Sequence, residues 1–111
     1  MKIDFSQPLK NLKGEVLKEK DENGKMTDVI LSNVTVNALL SMNDEKVEGK
    51  EKLKRYKLAN KIYGQKEVEV SAEEVTKIEE LVSLVFPPLL VGQAYEMLEG
   101  KDKEDDGKEP A

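Results

Sequence analysis

The chain lacks three residue types that carry much of protein chemistry, because cysteine, histidine and tryptophan are absent from its 111 residues. Without cysteine there is no disulfide, no thiolate nucleophile and no iron–sulfur cluster. Without histidine as well, nearly every zinc or haem site and every serine–histidine pair is excluded. Adjacent carboxylates such as Glu73 and Glu74 point about 100° apart on a helix, so they do not converge as an acid and a base must. We therefore predict no cofactor and no enzymatic activity, with a lysine-activated serine as the one nucleophile left open.

Long apolar runs are also absent. A helix needs about 20 apolar residues to cross a bilayer, and the longest stretch here, residues 81–93, is interrupted by Ser83, two prolines and Gly92. The chain does not open with a charged segment followed by an apolar one, so we predict no secretory signal. These features predict a cytoplasmic protein that does not cross a membrane.

Apolar residues are few and charges are many. The apolar fraction is 38%, against roughly 45–50% in a typical globular domain, and 23 acidic residues outnumber 18 basic ones. We predict a single α+β domain over residues 1–100, with a small core. Residues 101–111 contain five acidic and three basic residues and no large apolar side chain. Such a segment cannot offset the entropy cost of ordering, so we predict a disordered tail.

The first 31 residues have the pattern of short strands joined by turns. Ile3 and Phe5 alternate with polar residues, which places both on one face of a strand. Residues 15–17 and 26–31 are two further strand-like runs, and the Asn23-Gly24 pair between them is a strong hairpin signal. We expect an antiparallel hairpin or meander of two or three strands that covers one side of a helical core.

Helical spacing of apolar residues predicts three or four helices after residue 31. A short helix is expected to start at Ser32 or Asn33, and a polar loop over residues 42–49 separates it from a helix over residues 50–63 that ends before Gly64. A short edge strand over residues 66–70 then precedes the third helix.

That third helix has the clearest local signal, because Ser71 followed by Glu74 forms a capping box at its start. Val75, Ile78, Leu81, Val82 and Val85 lie on one stripe of it. Two prolines end the helix, and residues 89–99 form a last amphipathic helix.

The helix over residues 50–63 is strongly basic. Residues 50–66 carry seven positive charges and one negative charge, whereas residues 67–99 carry one positive and eight negative. The candidate phosphate ligands are Lys50, Lys54, Arg55, Lys57 and Lys61. The alternative is a solvated face whose side chains pair with Glu73, Glu74, Glu79 and Glu80.

Two observations favour that alternative. Tyr56 and Tyr63 share a stripe with Leu53, so we expect them at the edge of the core. The chain also has a single arginine, the side chain best suited to bidentate phosphate recognition.

One apolar segment stands out in so polar a chain. If it is exposed, it is a partner-binding surface, because large apolar patches on small proteins mark interaction sites. The alternative is that it only turns the corner between two core helices. The predicted partner-binding residues are Phe86, Pro87, Pro88, Leu89, Leu90 and Tyr95, with Met97 beside Tyr95. The last helix also allows a symmetric homodimer, although nothing in the sequence selects one.

Three segments carry a resemblance to a known group of proteins: Val-Asn-Ala-Leu-Leu at 36–40, Lys-Arg-Tyr-Lys-Leu-Ala-Asn-Lys-Ile-Tyr at 54–63 and Pro-Pro-Leu-Leu-Val-Gly-Gln-Ala-Tyr at 87–95. In this arrangement the chain resembles small uncharacterised proteins of tailed bacteriophages and prophages, over most of residues 1–100. It is more distantly similar to phage tail assembly chaperones, which also pair an N-terminal β-hairpin with helices and a charged end. The resemblance implies a bacterial cytoplasm during infection or lysogeny, and it brings no catalytic residues.

Two functional hypotheses follow. The first is a phage- or prophage-encoded protein that acts as an assembly or regulatory accessory by binding another protein, from the phage or its host. The second is a nucleic-acid-binding accessory protein that uses the basic helix.

Overall fold

A computed structural model describes residues 1–41 and 45–100 of the chain. Within these ranges the elements are β1 (Lys2–Asp4), β2 (Lys18–Lys20), β3 (Met26–Asp28), α1 (Leu31–Ser41), α2 (Gly49–Ile62), β4 (Glu67–Glu69), α3 (Ala72–Val85) and α4 (Pro88–Glu99). They confirm the predicted α+β class. The tail predicted over residues 101–111 lies outside the described residues, as does the start of the loop predicted after α1. In the part of the chain that is described, no helix is long and apolar enough to span a bilayer.

The core lies around α1, which packs against both α2 and α3, while α3 also packs against α4. Side chains from β1 and β4, from the loops and from all four helices meet there. The largest of the fully buried apolar side chains are Phe5, Leu9, Leu31, Ile62, Ile78 and Leu98. The helices therefore share one core with the N-terminal region.

The capping box predicted for α3 is present in full. The Glu74 N–H donates to Ser71 Oγ at 3.1 Å, and the Ser71 N–H donates to Glu74 Oε1 at 2.9 Å. The predicted apolar stripe of α3 is buried at Val75, Ile78, Leu81 and Val82. These two features fix where α3 begins and which face it turns inward.

Two helix boundaries follow from local chemistry. Helix α2 ends at Ile62, and Gly64 follows with a φ of 77°, a left-handed conformation that glycine adopts without strain. Helix α1 begins at Leu31, before the predicted cap residues. The amide oxygen of Asn33 accepts a hydrogen bond from the Ile30 N–H at 3.0 Å, so Asn33 caps the helix from inside its first turn.

The strand pairing differs from the predicted meander. Strand β1 pairs antiparallel with β4, with Ile3 opposite Val68, so its partner lies 65 residues further along the chain. The N-terminal ammonium group adds an ion pair of 2.6 Å with Glu69. A three-residue alternating pattern shows which face is buried and carries no information about the partner strand.

The hairpin predicted around Asn23-Gly24 is confirmed, since β2 and β3 form a separate antiparallel pair, although its first strand, Lys18–Lys20, follows the predicted run over residues 15–17. The turn of this hairpin has the same hydrogen-bond pattern as an earlier turn over residues 11–15. In both turns a glycine with positive φ, Gly14 or Gly24, donates its N–H to the carbonyl of the residue three positions before it, at 3.0 Å. The side chains of Asn11 and Asp21 accept two backbone N–H groups each.

Three chain segments meet beneath these turns. The Leu9 N–H donates to the Val29 carbonyl, the Val29 N–H to the Leu17 carbonyl, and the Leu17 N–H to the Leu9 carbonyl, each at 2.9 Å. This closed ring of hydrogen bonds joins the first turn to the base of the β2–β3 hairpin. The β2–β3 hairpin extends from it with both strands exposed.

Candidate functional site

The junction between α3 and α4 is a sharp corner fixed by two prolines. The Phe86 N–H donates the last hydrogen bond of α3 to Val82, and Phe86 and Pro87 are both extended, with φ and ψ of −116° and 158°, and of −78° and 168°. The Pro87 carbonyl accepts from the N–H groups of Leu90 and Val91 at 3.0 and 3.1 Å. Proline fixes φ, so this corner has little backbone freedom to lose on binding.

Apolar side chains project into solvent at this corner. Leu84 is 68% exposed and Leu89 is 37% exposed, and both prolines lie between them on the surface. Leu84 faces outward because the neighbouring Leu81 and Val82 belong to the buried stripe of α3.

A third exposed leucine lies on a turn that is hydrogen-bonded to α4. Leu12, in the turn over residues 11–15, is 94% exposed. The Gln93 side chain fixes that turn to α4, because its amide accepts the Lys10 N–H at 2.8 Å and donates to the Lys10 carbonyl at 2.7 Å. The same amide contacts the Leu89 carbonyl at 3.0 Å. We call this surface the apolar corner: Leu12, Leu84, Pro87, Pro88 and Leu89.

The other predicted partner-binding residues have structural contacts. Phe86, Leu90 and Met97 are partly buried and pack against the core. The Tyr95 hydroxyl lies 3.4 Å from the Glu79 carbonyl of α3, which accepts its hydrogen bond. Tyr95 lies two helical turns from Pro88, so it joins α4 to α3 away from the exposed leucines.

The face of α2 that packs inward differs from the predicted one. Leu58, Ala59 and Ile62 are buried, whereas Tyr56 is 56% exposed and Tyr63 is 70% exposed. Leu53 is exposed with them. The prediction that the two tyrosines lie at the core edge is wrong, because the helix is rotated so that Glu51 and Arg55 face α3 instead.

Arg55, one of the predicted phosphate ligands, is occupied in an ion-pair cluster. Its side chain is only 14% exposed, and its Nε lies 3.0 Å from Glu51. Lys77 of α3 reaches the same Glu51 oxygen at 2.5 Å. These hydrogen bonds, the one from Lys77 foremost, hold the pKa of the Glu51 carboxyl below its ordinary value although partial burial opposes this. The cluster joins α2 to α3.

The remaining predicted phosphate ligands form one stripe. Lys50, Lys54, Lys57 and Lys61 are all exposed, and their spacings of four, three and four place them on one side of α2. We call them the lysine stripe. Lys61 pairs with Glu74 at 3.3 Å, the one pair of the predicted type among the described residues. In that part of the chain no carboxylate lies within 4.0 Å of the other three ammonium groups.

A groove runs between the lysine stripe and α3. It has a volume of about 520 Å³, with Leu58 in its lining. Ser71, Glu73, Glu74 and Lys77 line its other side. The groove is therefore basic on the α2 side and mixed in charge on the α3 side.

Leu12 and Leu84 were not among the partner-binding residues predicted from the sequence. Leu84 shares a helical face with Glu73, Lys77 and Glu80, so an apolar residue on a polar stripe was the available signal. The signal for Leu12 was the comparison of the two similar turns. Leu12 is an apolar residue at the position where the second turn has the charged Glu22.

Comparison with known proteins adds no family to this picture. A scan of protein-family models, a search of curated proteins and a search of solved structures each found no match.

Proposed function

We propose that the protein is a non-enzymatic binding module whose apolar corner docks against another protein. The observation that carries this proposal is the group of exposed leucines and prolines at the junction of α3 and α4 and on the turn that Gln93 fixes to α4. Burying a leucine side chain contributes roughly 1.5–3 kcal/mol, so these residues supply much of the energy that a specific interface needs. The partner is expected to offer an apolar pocket or groove.

The rigidity of the corner supports the same proposal. Two prolines fix the backbone, and the Gln93 amide joins the Leu12 turn to α4. A surface that is already in its bound conformation loses less entropy on association, which raises affinity without added contacts. The phage or prophage context and the assembly or regulatory role belong to this proposal, in which a bacterial cytoplasm supplies the partner.

The test compares two double variants that make the same chemical change at different places. L84Q/L89Q alters the apolar corner, and L40Q/L53Q alters two other exposed leucines on helices, 56% and 51% exposed. Glutamine and leucine have similar helix propensities, so both variants are expected to fold. Circular dichroism and thermal unfolding verify this before binding is measured.

Each tagged protein is used for capture from the bacterial host, with nuclease present, and captured proteins are quantified by mass spectrometry. The expected result is a stoichiometric protein retained by the native chain and by L40Q/L53Q. L84Q/L89Q should bind the purified partner at least tenfold more weakly, which corresponds to about 1.4 kcal/mol or more. Equal capture by both double variants would contradict the proposal, and unfolding of L84Q/L89Q would show that the leucines belong to the core.

A further inference from the structure

We propose that the outer face of α2 is a second binding surface, which takes single-stranded nucleic acid. Two adjoining stripes form this face. One is the lysine stripe, and the other contains Leu53, Tyr56 and Asn60 at spacings of three and four, with Tyr63 directly after the end of the helix. Both stripes are exposed, and they flank the buried face formed by Leu58, Ala59 and Ile62.

Charge complementarity identifies the partner as a polyanion. The lysine stripe extends over twelve residues of helix, about 16 Å from Lys50 to Lys61, which is enough to follow several consecutive phosphates. Three of its four ammonium groups have no carboxylate of the described residues within 4.0 Å, so little competes with a phosphate for them. The surrounding segment, residues 50–66, carries seven positive charges and one negative charge in an otherwise acidic protein.

The tyrosines distinguish a single strand from a duplex. Tyr56 and Tyr63 are more than half exposed, and exposed aromatic rings beside a basic track are the feature on which unpaired bases stack. In a duplex the bases are stacked on one another and cannot reach these rings. The side chain that would favour guanine readout, Arg55, is held by Glu51, so we expect little sequence preference.

The acidic residues of α3 define where the strand lies. Glu73 and Glu74 line the far wall of the groove beside the lysine stripe, and they repel phosphates from its interior. A bound strand that avoids these carboxylates runs along the exposed surface of α2, between the lysines and the tyrosines. This surface is separate from the apolar corner, since Lys77 and Leu84 are seven residues apart on α3, about 10 Å along its axis.

The experiment measures fluorescence anisotropy of labelled oligothymidylate and of a duplex of the same length with the full chain. Salt is varied between about 50 and 200 mM. We expect the single strand to bind more tightly than the duplex, with an affinity that falls steeply as salt rises. Engagement of three or four phosphates gives a slope of log affinity against log salt of about −2 to −3.

Two matched pairs of variants locate the site. K54E/K57E should lower affinity at least tenfold and reduce the slope by about 1.4. K20E/K25E makes the same charge change on the exposed hairpin and should have little effect. Y56A/Y63A should lose roughly fivefold or more per stacked base, while Y56F/Y63F should retain binding because phenylalanine keeps the ring.

Several outcomes would overturn the proposal. They are no binding at the lowest salt, equal loss of binding in the two lysine variants, and no effect of Y56A/Y63A. Equal affinity for polyglutamate would assign the face to an acidic protein and would also overturn it. Thermal unfolding of each variant shows whether a loss of binding comes from a loss of structure.

Discussion

At the scale of single residues, Glu51 shows how one side chain sets the orientation of a helix. Its carboxylate accepts from Arg55 on its own helix and from Lys77 on α3. Because these contacts face inward, Tyr56 and Tyr63 on the other side of α2 face solvent. The sequence of α2 contains two overlapping stripes. The spacing of apolar residues by itself favoured the stripe that places the tyrosines at the edge of the core. Contacts between helices, these ion pairs and the burial of Leu58, Ala59 and Ile62 among them, select one stripe, and a single sequence does not reveal them.

Replacing Glu51 with glutamine is expected to destabilise the fold by about 1–2 kcal/mol at neutral pH, since two charge-assisted hydrogen bonds are lost. The pKa of Glu51 is lowered in the folded state, so its contribution is present above the ordinary value of 4.5 and is lost as pH falls through the folded-state pKa. Urea unfolding of both proteins over a range of pH measures this.

The stability difference between the native chain and E51Q should therefore narrow at acidic pH. E73Q is the control, since Glu73 is exposed on α3 and has no ion pair within 4.0 Å among the described residues. An E51Q protein as stable as E73Q at neutral pH would contradict the role assigned to the cluster.

At the scale of elements, local signals predicted the helices well and the strands less completely. The capping box, the Pro87-Pro88 break and the apolar stripe of α3 are encoded within a few neighbouring residues, so they can be read from a single sequence. The pairing of β1 with β4 depends on contacts between residues 65 positions apart. Three alternating residues fit many partners, which is why the β2–β3 hairpin could be predicted and the partner of β1 could not.

Replacing Ser71 with alanine is expected to cost about 1 kcal/mol, because the N-cap oxygen that accepts the Glu74 N–H is lost. The matched control is S83A, which changes an exposed serine within α3 whose hydroxyl contacts the Glu80 carbonyl. That change should be neutral or slightly stabilising, since alanine is the better helix former. Denaturant midpoints of the two variants give the comparison, and equal midpoints would contradict the importance of the cap.

At the scale of the whole molecule, the structure places the two candidate surfaces apart. The apolar corner lies where α3 meets α4, and the lysine stripe lies on α2 beside the first half of α3. The sequence predicted Pro87, Pro88 and Leu89 for the first surface and four lysines for the second. It did not predict Leu12, because only the tertiary contact through Gln93 brings that turn to α4.

The most direct test of the apolar corner is site-specific photocrosslinking in the proposed bacterial host. A photoreactive phenylalanine derivative is placed at position 84 in one protein and at position 40, another exposed leucine on a helix, in a second. If the apolar corner is the docking surface, position 84 gives a discrete adduct with one partner protein and position 40 gives none. No adduct from position 84, or the same adduct from both positions, would contradict it.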